Sequence, residues 1–310
     1  MKKLISSILL FINLSCLCIA ADENRGKGIE QAIDHMLSGL GQKTSMKPRI
    51  DAVAVFGNDA VPILIQRYEQ TDDDKCRPLI RALCQIKSPQ SFRFLQKVMK
   101  EHKKRYSTET TIRHYPIENE NDIIGLLIEL LNVDKHRYES TERLKEMIQR
   151  KPSRAGVLVD SLRDEQGFRK FNFQVGEILA FVSGYSNTWG VNVPRGEDRI
   201  AYQNKFWRDW WKRNKEKDVF GWLTETASSD NKSRQVQALQ QMVARRDKRA
   251  LPYFVAGLDS TSERVQYLAV VGLKKMEDSS PKSGYLWETF KKDKAKTISH
   301  LKKKYGKRQK

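Results

Sequence analysis

The chain is poor in cysteine, proline and histidine, and each shortage removes a class of explanation. Four cysteines and nine prolines occur in 310 residues. Cys16 and Cys18 fall in the first twenty residues, which leaves Cys76 and Cys84. These two lie eight residues apart in what reads as one helix. A rise of about 1.5 Å per residue separates them by about 12 Å, whereas a disulfide needs Cα atoms within about 7 Å. They are expected to stay unbridged and to act as small buried hydrophobes. The five histidines, His35, His102, His114, His136 and His300, make no pair with each other or with cysteine at metal-ligand spacing. Asp72-Asp73-Asp74 lacks the glycine and distant glutamate of a calcium loop and reads as a solvated turn. There is no Gly-x-Ser-x-Gly elbow, phosphate loop or dinucleotide loop. No catalytic residue, cofactor or metal ligand is therefore assigned, and the chain is read as a non-enzyme. No stretch beyond residue 20 is long and apolar enough to span a bilayer.

Acidic residues are also in deficit. Lys and Arg number 57 against 38 Asp and Glu, for a formal charge of +19 and a pI near 9.7. An excess of this size attracts acidic protein surfaces or polyanions over long range.

What is present begins with a signal-like start. Lys2-Lys3 form a positive end, Leu4 to Ile19 an apolar stretch, and Cys18, Ala20 and Ala21 a small-residue cleavage region. Residues 1–20 are expected to be removed on export to a periplasmic or extracellular space. An uncleaved anchor is disfavoured by Ser6, Ser7, Asn13 and Ser15, and a lipoprotein by Asn13 at the position that wants an apolar residue.

Helical spacing dominates the rest. Ile123, Ile124, Leu127, Leu130 and Leu131 recur every three or four residues, as do Leu144, Met147 and Ile148, which follow a cap expected at Ser140 or Thr141. Phe173, Val175, Ile178, Leu179 and Val182 form another such face, ended near Gly184. Phe206, Trp207, Trp210 and Trp211 cluster after a glycine-rich stretch at 183–199. A packed amphipathic face is the favoured reading of this cluster, over aromatics stacking on nucleic acid.

An internal repeat organises these helices. Displacing the chain by 190 residues superposes Ala60-Val61-Pro62 on Ala250-Leu251-Pro252, Ala82-Leu83 on Gly272-Leu273 and Ile86 on Met276. A shift of 34 residues superposes Val236, Ala238-Leu239 and Met242 on Val270, Gly272-Leu273 and Met276. Each unit reads as two helices. The first opens near its proline, where the missing N–H has no helical partner. The second carries a small residue beside a Leu, so that a neighbouring helix comes close. One hairpin cannot bury both apolar faces, so copies must stack.

Ala60 to Leu64, Ala-Val-Pro-x-Leu, and Val265-Gln266-x-x-Ala269-x-x-Gly272-Leu273 resemble the two helices of HEAT repeats, especially the short kind named after phycobilisome lyases. The resemblance covers roughly residues 50–103 and 219–277. It departs from the family where an Arg usually follows the Val, because Cys76, Lys232 and Gln266 stand there. It implies an all-α fold, an α-solenoid of the armadillo type, with repeats at 21–110 and 219–282. Between them lies a less regular helical region at 111–218, containing the loop 183–199, and a basic tail follows at 283–310.

Such an array implies a binding scaffold. Its second helices place Arg77, Arg81, Arg234, Arg264 and Lys274 as candidate contacts for an acidic protein partner. The alternative is polyanion binding (acidic polysaccharide, lipid phosphate or extracellular nucleic acid) through the tail residues Lys291, Lys292, Lys294, Lys296, Lys302, Lys303, Lys304, Lys307, Arg308 and Lys310. HEAT-like lyases and glycosylases exist as enzymes, but no residues here support either chemistry.

Overall fold

The computed structural model describes residues 24–41, 45–185, 196–276 and 283–305, excluding the side chains of 283–286. Residues 1–20, read above as an export signal, lie outside the described residues, as do most of the 183–199 stretch and the tail residues Lys307, Arg308 and Lys310. Among the described residues the chain forms 16 helices and no strand. None is long and apolar enough to cross a membrane.

Contacts divide the chain into two compact units, separated between Arg143 and Leu144. The first unit holds α1 (24–38), α2 (Lys47–Ala54), α3 (Ala60–Gln70), α4 (Arg77–Ile86), α5 (Pro89–Glu101), α6 (Arg105–His114) and α7 (Ile124–Leu130). The boundary falls inside α8 (Arg137–Arg150). The second unit continues with α9 (Ala155–Asp160), α10 (Arg169–Ser183), α11 (Arg199–Asn214), α12 (Val219–Ala227), α13 (Lys232–Arg245), α14 (Leu251–Gly257), α15 (Glu263–Met276) and α16 (Ser283–Tyr305).

Local chemistry sets many of the helix starts. Pro48, Pro78, Pro89 and Pro252 sit in opening turns, where a missing N–H costs nothing. Ser88 and Ser91 form a reciprocal capping box at α5. Asp198, Asp218 and Asn231 cap α11, α12 and α13 through their side-chain oxygens. Gly184 ends α10 at φ +79°, a backbone region that glycine occupies without steric cost.

Ser140 and Thr141 do not cap the helix that carries Leu144. That helix starts at Arg137, and both residues are buried within it. The polar pattern that suggested a boundary instead faces the interior. Cys76 precedes α4 rather than lying in it, and both Cys76 and Cys84 are free and buried. Burial pushes both thiols up, Cys84 to about 12, which leaves them poor nucleophiles.

In the first unit α4 packs between α2 and α6 and also touches α3 and α5. Residues 78–80 and 82–84 of α4 are buried, while Arg77, Arg81 and Gln85, one turn apart, point outward. The hairpins are tied at their ends. Asp73, in the turn between α3 and α4, accepts from the backbone N–H groups of Tyr106 and Ser107 at 2.9 and 3.0 Å and from the Ser107 hydroxyl at 3.0 Å. It thereby caps α6 of the following hairpin, so this aspartate is a structural acceptor and not merely solvated. Lys104 returns the contact. Its ammonium donates to the Tyr68 and Thr71 carbonyls at 2.7 and 2.6 Å, at the end of α3. Charge at both helix ends opposes the macrodipole.

In the second unit α13 packs against α12 and α15, and α15 against α14 and α16. Gly272 of α15 faces the Phe254 ring of α14 so closely that a Cβ would lie 2.6 Å from two ring carbons. Ala82 and Ala238, at the matching repeat positions, are fully buried. The aromatic cluster is core: Trp207, Trp210 and Trp222 are 1–2% exposed and meet edge to face at 5.6 and 5.1 Å.

The basic tail is not free through Tyr305. It forms α16 against α15, with Phe290, Leu301 and Tyr305 buried. Leu301 and Tyr305, one turn apart, and Phe290, before a kink at Asp293, seat the helix despite the lysines between them.

Candidate functional site

The outward face of α2, α4 and α6 collects cations faster than acids can neutralise them. α2 supplies Lys47, α4 supplies Arg77 and Arg81, and α6 supplies Arg113 and His114. Most acids on this side are already engaged. Glu109 pairs with Arg105 at 2.8 Å and Glu139 with Arg113 at 2.8 Å. Asp51 accepts from the Gln85 amide at 2.8 Å. Arg77 lies 4.4 Å above the Tyr106 ring. Neither Arg77 nor Arg81 has an ion pair among the described residues.

Arg81 opens onto a cleft of about 160 Å³ lined by Lys47, Ile50, Cys84, Gln85 and His114. Partial burial and the charges of Arg81, Arg113 and Arg143 hold the His114 pKa below its ordinary value. Each effect disfavours the imidazolium, by desolvation or by repulsion. The neighbouring charge Arg143 is itself buried against Glu120 at 2.9 Å and donates to the Tyr115 carbonyl at 2.6 Å.

The remaining sequence-derived contacts lie in the second unit. Arg234 on α13 stacks over Tyr185 at 4.7 Å, so part of its capacity is spent within the fold. Arg264 on α15 is exposed, whereas Lys274 is half-buried and already engaged. Of the tail residues, Lys294 pairs with Glu263 at 3.3 Å and Lys302 with Asp259. Lys291 lies over Trp287 and Lys304 over Tyr305. Lys292, Lys296 and Lys303 are exposed without an ion pair among the described residues.

A second cavity of about 500 Å³, lined by Arg150, Arg245, Arg249, Asp218 and Asp247 among others, is closer to charge balance. Arg249 is clamped by Asp218 at 2.8 Å and Asp247 at 2.7 Å. Those bonds raise its pKa further and hold both carboxylates low, although burial of Asp218 opposes its shift.

The sequence reading named Arg77 and Arg81 on this face and did not name Lys47 or His114. Their proximity to Arg81 comes from the packing of α4 between α2 and α6, which no local motif encodes. Among the described residues no group of three or more His, Cys, Asp or Glu is placed to hold a metal ion. Compared with known proteins, the chain matches no family model, no curated protein and no solved structure.

Proposed function

We propose that this chain is an exported, non-catalytic binding scaffold whose helical hairpins stack in the HEAT manner and present a basic surface to an acidic protein partner. The observation that carries the reading is the pair Arg77 and Arg81. They sit one turn apart on the outward face of α4, without a carboxylate between them, while nearby arginines are paired. Leaving two such charges uncompensated costs stability through self-repulsion, a cost that a complementary partner removes. Stacking is supported by the side-by-side packing of α2 with α4, α4 with α6, and α13 with α15. It is also supported by Gly272, whose missing side chain admits Phe254. The signal-like residues 1–20 support export.

Crosslinking with mass spectrometry on the chain in its native setting tests this reading. Crosslinks from one protein partner should map to the outward faces of α2, α4 and α6. Arg77→Glu should weaken capture at least tenfold while leaving the thermal midpoint in place. Undiminished capture by that variant sinks the reading.

The exposed Lys292, Lys296 and Lys303 favour a second reading, polyanion binding along α16. Its mark is steep salt dependence from counterion release. Affinity for a phosphate polymer that barely changes between low and moderate salt would exclude it.

A further inference from the structure

We infer that the cleft bounded by Lys47, Arg81 and His114 is a binding site for one compact dianionic oxyanion, either phosphate or a phosphoryl group. The inference goes beyond the acidic-partner reading and does not depend on it.

Size comes first. A volume of about 160 Å³ equals roughly five waters at about 30 Å³ each. That is room for a phosphate-sized group and a few waters within the cleft, with any larger remainder of a ligand left outside it.

Charge and donor geometry agree with that size. Arg81 offers a planar fork of N–H donors suited to two oxygens at once. Lys47 adds an ammonium, and among the described residues neither side chain has an ion pair or side-chain hydrogen bond. The nearest carboxylate on α2, Asp51, is one turn from Lys47 and is held by Gln85 at 2.8 Å. Two permanent charges match a dianion, whereas a carboxylate would neutralise one and leave the other exposed.

The direction of approach is the third argument. Lys47, Arg81 and His114 come from α2, α4 and α6 respectively, so the donors reach the cleft from three helices. A tetrahedral oxyanion presents oxygens in several directions; a carboxylate presents two in one plane. Ile50 and Cys84 form buried apolar walls, which lower the local dielectric and strengthen each contact.

His114 reports on the site. Its neighbours Arg81, Lys47, Arg113 and Arg143 are all cationic, and Cys84 is a neutral thiol. A bound dianion would reverse the local field and stabilise the imidazolium.

The test follows the His114 ring proton by NMR in the full mature chain, at constant ionic strength set with chloride. Inorganic phosphate should shift the signal saturably and raise the His114 pKa. Arg81→Gln should weaken the response at least tenfold and Lys47→Gln severalfold, whereas Arg93→Gln, at an exposed arginine outside the cleft, should leave it unchanged. Circular dichroism of each variant checks that the helices persist, and the wild-type titration stands without any variant. Methyl phosphate separates the sources. Binding comparable to phosphate supports a phosphoryl group on a larger molecule, and binding of phosphate alone supports the free ion. No saturable shift, an equal response in Arg81→Gln, or an equal response to acetate would overturn the inference. Failure here leaves the acidic-partner reading intact, because that reading is tested at Arg77.

Discussion

Asp73→Ala is the perturbation that most directly probes how the hairpins are joined. α6 has no cap of its own, because Lys104 at its N-cap position makes no side-chain cap bond. Asp73 supplies the missing acceptor from 33 residues upstream, through two backbone N–H groups and the Ser107 hydroxyl. Loss of a capping oxygen typically costs about 1–2 kcal/mol, and the negative charge at a helix N-terminus adds to that. A cost of one or two kcal/mol corresponds to roughly a 5–30-fold change in the opening equilibrium. Hydrogen exchange should therefore quicken by about that factor in peptides covering 105–114. Asp73→Asn, which keeps an oxygen but loses the charge, should fall between the two. Lys104→Met removes a charged donor worth about 1.5–3 kcal/mol and should loosen the last turn of α3 as well. The reasoning fails if Asp73→Ala changes exchange in 105–114 by less than about twofold.

Three other outcomes follow from the packing. Gly272→Ala drives a Cβ into the Phe254 ring and should cost about 1–3 kcal/mol by urea denaturation, with Phe254→Leu restoring much of the loss; an unaffected midpoint would mean the two helices separate freely. Truncation after Phe290 removes the buried Leu301 and Tyr305, and burying one such side chain is worth about 1.5–3 kcal/mol. The thermal midpoint should drop, whereas a Lys292, Lys296 and Lys303→Gln triple variant should hold it. His136 is fully buried, and burial, followed by Lys135 and His102, holds its pKa below 6.5. The unfolded chain then binds the extra proton first, so stability declines as pH falls below about 6.5, by at most about 1.4 kcal/mol per pH unit for this group, and levels off once its folded pKa is passed. His136→Asn should flatten that decline in urea midpoints measured across the range, and an unchanged slope would show that the group titrates normally.

Periodicity and turn chemistry carried much of the architecture. An apolar residue every three or four positions places one face inward wherever a helix forms, so α7, α10 and the aromatic α11 were legible from single segments. The repeat placed Ala82, Ala238 and Gly272 at close helix contacts because only small side chains fit there. Ser140 and Thr141 misled, since a polar residue near an apolar run looks like a cap whether it ends a helix or lies buried within one. In the tail, Phe290, Leu301 and Tyr305 stand among the lysines as apolar anchors, and all three are buried in α16.

The amino-acid order by itself determined that the chain is helical, where its hairpins turn, and that it carries a large positive excess. Those properties depend on neighbours a few residues away. Tertiary packing alone decided which charges are spent and which remain available. Glu139 and Asp259 neutralise Arg113 and Lys302, while Arg81 meets Lys47 and His114 across three helices. Arg113 and Glu139 lie 26 positions apart and Lys302 and Asp259 43, and the energy of such partnerships depends on distances that only the folded chain sets.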